Sequence, residues 1–91
     1  MSGEPSRIEK IRAALSALQP LSLDIRDDSH RHAGHEGARD GRGHFTVDIT
    51  SQVFVGLAPL ARHRKVYDAV GSLMQTDIHA LSIKARPPAE A

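Results

Sequence analysis

The chain has 91 residues, 12 Lys and Arg against 11 Asp and Glu, a formal net charge of +1 and no cysteine. That length supports one small core and no second domain; the missing cysteines exclude a disulfide framework and restrict any metal site built by this chain alone to His, Asp or Glu ligands. The near-neutral balance excludes a global field that would drive the whole molecule onto nucleic acid or an anionic membrane, so binding of that kind needs a local patch.

Residues 1–5 lack the basic and apolar regions of a signal peptide, and no apolar run approaches the length of a membrane span. The expectation is a soluble cytoplasmic protein folded as a single domain over residues 1–91, with no membrane partner. Residues 1–5 and 87–91 are expected to be frayed tails.

In chain order, Ser6 and Glu9 have the spacing of a capping box, and Ile8, Ile11, Leu15 and Leu18 follow at three- and four-residue intervals. This predicts a helix over 7–18. Pro20 ends it, since its ring and missing N–H cannot continue the ladder. Leu21, Leu23 and Ile25 then alternate with Ser22, Asp24 and Arg26, and Phe45, Val47 and Ile49 alternate with His44, Thr46, Asp48 and Thr50. Both segments have the period of a strand with one buried face, and they should pair as a hairpin.

The connection from Asp27 to Gly43 is far longer than the two to five residues usual for a hairpin loop, and it contains SHRHAGHEGARDGRG. It has no large apolar residue with which to pack, so its length points to disorder or to function. After Ser51, QVFVGLAP breaks the alternation; Val53, Phe54, Val55 and Leu57 should dock over the core edge. A second helix is predicted over 60–75, with Leu60, Val66, Val70, Leu73 and Met74 on its apolar stripe and Arg62, Lys65, Asp68, Ser72 and Gln75 outward. Gly71 is a weak point in it and suggests close packing against the first helix.

The last element, 79–85, is a strand with His79, Leu81, Ile83 and Ala85 on one parity. Returning from the second helix, it should lie parallel to the Phe45 strand. The resulting class is α+β, in the order αββαβ, with two helices on one face of a three-stranded mixed sheet. Thr46, Asp48, Ser82 and Lys84 would line the opposite, solvated face.

Three features could carry chemistry. His30, His32 and His35 bring three imidazoles into six residues of the glycine-rich connection; such a tract can hold a borderline metal, and it can equally be a solvated polar loop. His79 opens the last strand on the parity of Leu81 and Ile83 and could be a ligand or a half-buried core residue, and His44, just before Phe45, reads as a strand-end residue. Arg62, His63, Arg64 and Lys65 put cations at a helix start, against the macrodipole, as expected where an anion or acidic partner binds. The alternative there is a solvated basic face partly balanced by Asp68.

Nucleic-acid stacking has little support from two Phe, one Tyr and no Trp. The GxxG at 34–37 lies in the hairpin connection, and Glu36 would repel a phosphate. No nucleophile elbow or triad is present, and the chain is read as a non-enzyme.

Taken together, DDSHRHAGH, GHFTVDITSQVFVGL, LARHRKVYDAVGSLM and IHALSIKA resemble the BolA family over residues 7–85. The resemblance implies an αββαβ fold similar to class II KH domains. It also implies a monothiol glutaredoxin partner with which a [2Fe-2S] cluster is shared, the glutaredoxin cysteine and a bound glutathione supplying sulfur. His79, in the IHAL motif, matches the family's main ligand.

The second ligand is implied to come from the hairpin connection. Without cysteine this chain resembles the histidine subgroup, and the S-x-x-H-A register points to His32, with His30 and His35 as alternatives. The function implied is iron-sulfur assembly or trafficking, by a chain that is alone a monomer or weak homodimer. The resemblance also carries an alternative, a DNA-binding transcriptional regulator that uses Arg62, Arg64 and Lys65 on phosphates. A third reading, a zinc or nickel buffer, would use the histidine tract alone.

Overall fold

The computed structural model describes residues 6–29 and 43–90. The stretch 30–42, with His30, His32 and His35, lies outside the described residues. Helix α1 spans Arg7–Leu15 and starts on the expected capping box: the Ser6 hydroxyl accepts from the Glu9 N–H at 3.1 Å while Ser6 N–H donates to Glu9 Oε1 at 2.8 Å. A tight 3₁₀ turn, Ser16–Leu18, replaces its last turn, and Gln19 takes a left-handed conformation at φ 51° before Pro20.

Strand β1 spans Ser22–Asp27 and β2 spans Gly43–Thr50. They pair antiparallel, Leu23 opposite Ile49 and Ile25 opposite Val47, so the apolar parities share one face. Strand β3, Ile78–Arg86, lies parallel to β2 on its other side, giving the mixed sheet order β1-β2-β3. The register places Leu81, Ile83 and Ala85 opposite Phe45, Val47 and Ile49.

Ile11 and Leu15 of α1 meet Ile25, Phe45, Val47 and Ile49 of the sheet, Phe54 of the following turn and Ile78 of β3. Val66 and Val70 complete this core from helix α2, Pro59–Val70. Both helices therefore cover one sheet face. The other face carries Asp24, Arg26, Thr46, Asp48, Ser82, Lys84 and Arg86, where Arg86 reaches Asp48 at 2.5 Å across the strands. Ser51, fully buried, donates its hydroxyl to Leu18 C=O at 2.6 Å and its N–H to Arg86 C=O at 3.1 Å, joining the end of the first helical segment to the end of β3.

Several expectations are corrected. The second helix is not continuous over 60–75: it stops at Val70, and a short helix α3, Leu73–Thr76, follows. The cause is Gly71, at φ 54° and ψ −126°, a conformation that L side chains rarely adopt. A Cβ there would meet only Asp68 C=O at 3.7 Å, so its role is conformational and not close packing on α1. Leu60 is 65% exposed and does not join the apolar stripe.

In the segment after Ser51, Phe54 is fully buried and Val53 and Leu57 pack beside it, whereas Val55 is 58% exposed. The chain after β3 does not fray as far as residue 90: Pro87 is buried and Pro88–Glu90 form a 3₁₀ turn. Among the described residues, no helix is long and apolar enough to cross a membrane.

Candidate functional site

His79 does not follow the parity of Leu81. The pairing of β2 with β3 skips one residue: Gly43 faces Ile78 and His44 faces Ala80, so His79 is the extra residue of a bulge. Ile78 is fully buried while His79 is exposed. Its ring lies beside that of His44, with centroids 5.2 Å apart and planes tilted by 50°. His44 alternates with Phe45 and so sits on the sheet face away from the helices; it is half-buried, its Nε2 atom fully so.

The hairpin connection is clamped at this corner. His44 N–H donates to Ser29 Oγ at 3.0 Å, and Asp28 N–H donates to His44 C=O at 2.7 Å. Asp27 Oδ1 accepts from Ser29 N–H at 2.8 Å, and the Asp28 carboxylate accepts from Thr46 Oγ1 at 2.5 Å and from Arg26 Nε at 3.0 Å. Gly43 leaves the room for this: a Cβ there would lie 2.6 Å from Ser29 Oγ and 2.8 Å from the Phe45 ring. Ser29, the residue before His30, is thereby bound to the strand residue whose ring touches His79.

A second tie fixes the start of β3 to the start of α1. Asp77, buried just before the strand, accepts from Thr76 Oγ1 at 2.6 Å and from Lys10 Nζ at 3.1 Å, with Arg7 Nε at 3.4 Å. These contacts, Thr76 first, hold its carboxyl below the usual range despite burial. Its own C=O accepts from Gly43 N–H at 2.9 Å, so both strand starts at the His44–His79 corner are anchored. Among the described residues, no three His, Asp or Glu side chains gather closely enough to hold a metal ion.

The basic helix start separates into two parts. Arg62 turns inward: Nε donates to Leu57 C=O at 2.8 Å, one terminal nitrogen donates to Ala85 C=O at 3.1 Å, and the guanidinium grips the Glu90 carboxylate through contacts of 3.0 and 2.9 Å. These bonds lower the Glu90 pKa below its ordinary value and raise that of Arg62. Arg62 thus joins the helix start to the end of β3. Arg64 and Lys65 are exposed and His63 is half-buried.

Sequence reasoning singled out His79 but read His44 only as a strand-end residue. Their contact depends on the strand register and its bulge. The one available signal was the weak two-residue alternation at Asp77–Ile78–His79, where two apolar-parity candidates, Ile78 and His79, are adjacent.

The family model described as BolA-like protein matches residues 15–90. SufE-like protein 1, chloroplastic/mitochondrial, of Arabidopsis thaliana is 41% identical over 91 residues, covering 93% of this chain and 24% of that protein. The DNA-binding transcriptional regulator BolA of Escherichia coli (strain K12) is 37% identical over 75 residues, covering 82% of this chain and 66% of that protein. The chain thus spans about a quarter of the first relative's length and just under two thirds of the second's.

Among solved structures, the BolA domain of SufE1 from Arabidopsis thaliana superposes with a TM-score of 0.83 at 39% identity, covering 98% of this chain and 100% of that one. The sequence model, the relatives and the three-stranded mixed sheet agree, and the chain belongs to the BolA family.

Proposed function

We propose that the chain is a non-enzymatic iron-sulfur assembly or trafficking factor that binds a monothiol glutaredoxin and contributes histidine ligands to a shared [2Fe-2S] cluster. His79 is one ligand. A residue of the hairpin connection is the other: His32, with His30 and His35 as alternatives. The glutaredoxin cysteine and glutathione supply the sulfur side.

One observation carries the reading. His79 is exposed on a bulge, and the residue preceding the histidine tract, Ser29, is hydrogen-bonded to His44, the neighbour of His79. A tract that starts there needs to span little distance to converge with His79, since consecutive Cα atoms are about 3.8 Å apart.

The donor chemistry fits as well. Imidazole nitrogens ligate iron in two-histidine [2Fe-2S] centres, where replacing thiolates raises the potential. Neutral ligands at an exposed corner suit a cluster that is passed on.

The test is titration of the chain into cluster-loaded glutaredoxin, followed by visible circular dichroism with iron and glutathione analysis of the isolated complex. A new mixed-ligand spectrum is expected, and it should be lost in His79→Ala. If His79→Ala gives the wild-type spectrum, the ligand assignment is wrong.

A second reading, duplex DNA binding, is favoured by the name of the Escherichia coli relative and by the exposed Arg64 and Lys65. It requires sequence-selective binding that survives physiological salt and weakens in Arg64→Ala. Binding that vanishes as salt rises, without preference among duplexes, removes it.

A further inference from the structure

In a regular strand the pleat sets the direction of each side chain. His79 has lost that constraint, because it is the extra residue of the β2–β3 bulge and is exposed. A ligand that must be presented in one direction binds with less loss of affinity when its ring is already held in that direction before binding.

We propose that His44 is a positioning residue for the His79 imidazole, a fixed wall against which the ligand ring rests. The inference deepens the iron-sulfur reading and rests on it for the role of His79. The rings are 5.2 Å apart and tilted by 50°, within the range of direct aromatic contact.

The backbone of His44 is fixed at both ends. Its N–H is held by Ser29 Oγ at 3.0 Å, its C=O by Asp28 N–H at 2.7 Å, and its neighbour Phe45 is locked in the core at 2% exposure. The Gly43 N–H on its other flank is tied to Asp77 C=O at 2.9 Å. Its Nε2 atom is buried while His79 is exposed, so the two imidazoles divide the work. His79 faces outward as the donor, and His44 acts through it.

The test compares wild type with His44→Ala, which removes the wall, and His44→Phe, which keeps a ring but no nitrogen. Two readouts are taken on the full chain. By NMR, the protein alone gives the His79 rotamer distribution and ring contacts to residue 44; by visible circular dichroism, titration into cluster-loaded glutaredoxin gives apparent affinity and the spectrum at saturation. His44→Ala should let the His79 rotamers average and weaken the titration by roughly three- to tenfold, as expected for immobilising one side chain. The saturating spectrum should stay unchanged, and His44→Phe should restore both readouts.

The proposal is overturned if His44→Ala leaves the His79 rotamers as in wild type, or if His44→Phe is as impaired as His44→Ala. It is also overturned if the saturating spectrum changes, which would make His44 a ligand. Should His44→Ala fail to fold, His44→Thr removes the ring while keeping a strand-favouring side chain. If His79→Ala leaves the titration untouched, the ligand reading fails, while the NMR comparison still decides whether His44 orients His79.

Discussion

Replacing Gly43 with alanine tests whether the base of the hairpin connection is as tightly assembled as its hydrogen bonds imply. The new Cβ would lie 2.6 Å from Ser29 Oγ and 2.8 and 3.0 Å from two Phe45 ring atoms, whereas ordinary contact begins at 3.4 Å. Ser29 can rotate away, but then the His44 N–H loses its acceptor, and leaving a part-buried donor unsatisfied costs about 1–3 kcal/mol. The Phe45 ring has no such exit, because it is 2% exposed and packed in the core; overpacking of this kind costs about 1–3 kcal/mol.

Allowing for partial relaxation, the expected loss is about 2–4 kcal/mol, read by urea or thermal unfolding as a fall in Tm of about 10–30 °C for a domain of this size. Gly56→Ala is the internal control. Its φ of 78° imposes backbone strain, but nothing lies within 4 Å of the added Cβ, so it should cost only about 1 kcal/mol. A Gly43→Ala protein within about 0.5 kcal/mol of wild type, a change typical of uninvolved surface sites, would refute the clamp.

Two further outcomes are expected. The carboxyl of Asp77 has a folded-state pKa below its reference value of 3.8, so its contribution is fully present above the unfolded pKa and is lost as pH falls through the folded one. Denaturant midpoints measured from pH 6 down should therefore drop below about pH 4, and Asp77→Asn should reduce that dependence; an equally steep fall in the variant would contradict it. Arg62→Ala should lower the thermal midpoint more than Glu90→Gln, because it strips partners from the carbonyls of Leu57 and Ala85 as well as from Glu90. The reverse order would show that the carboxylate contact dominates.

The element order was legible because each signal in it is local. Alternation at 21–25 and 45–49, the Ser6–Glu9 box and Pro20 all act within a few residues, and the structure keeps them. What the residues concealed depends on distant partners or on backbone angles. Gly71 could be seen as a weak point, but only its φ of 54° shows why the helix ends there.

Arg62 read as one of four equivalent cations, and its inward turn needs Glu90, which lies 28 residues further along the chain. His79 was singled out by its residue type and family motif, yet its exposure follows from a skipped residue in the β2–β3 register. The adjoining His44 gained its place in the site only through that register. The histidine tract was visible as composition, whereas the contact of Ser29, the residue that precedes it, with His44 was not.

The clamp formed by Asp27, Asp28, Ser29 and Gly43 has a consequence for change in the protein. It fixes the two ends of the connection from below, by bonds that involve no residue of 30–42. With the ends held, lengthening the intervening stretch alters the stability of the fold only slowly, by about 0.6 kcal/mol for each doubling. Length and composition between positions 30 and 42 can therefore change with little effect on the domain beneath. The scaffold behaves as a socket into which different tips can be fitted.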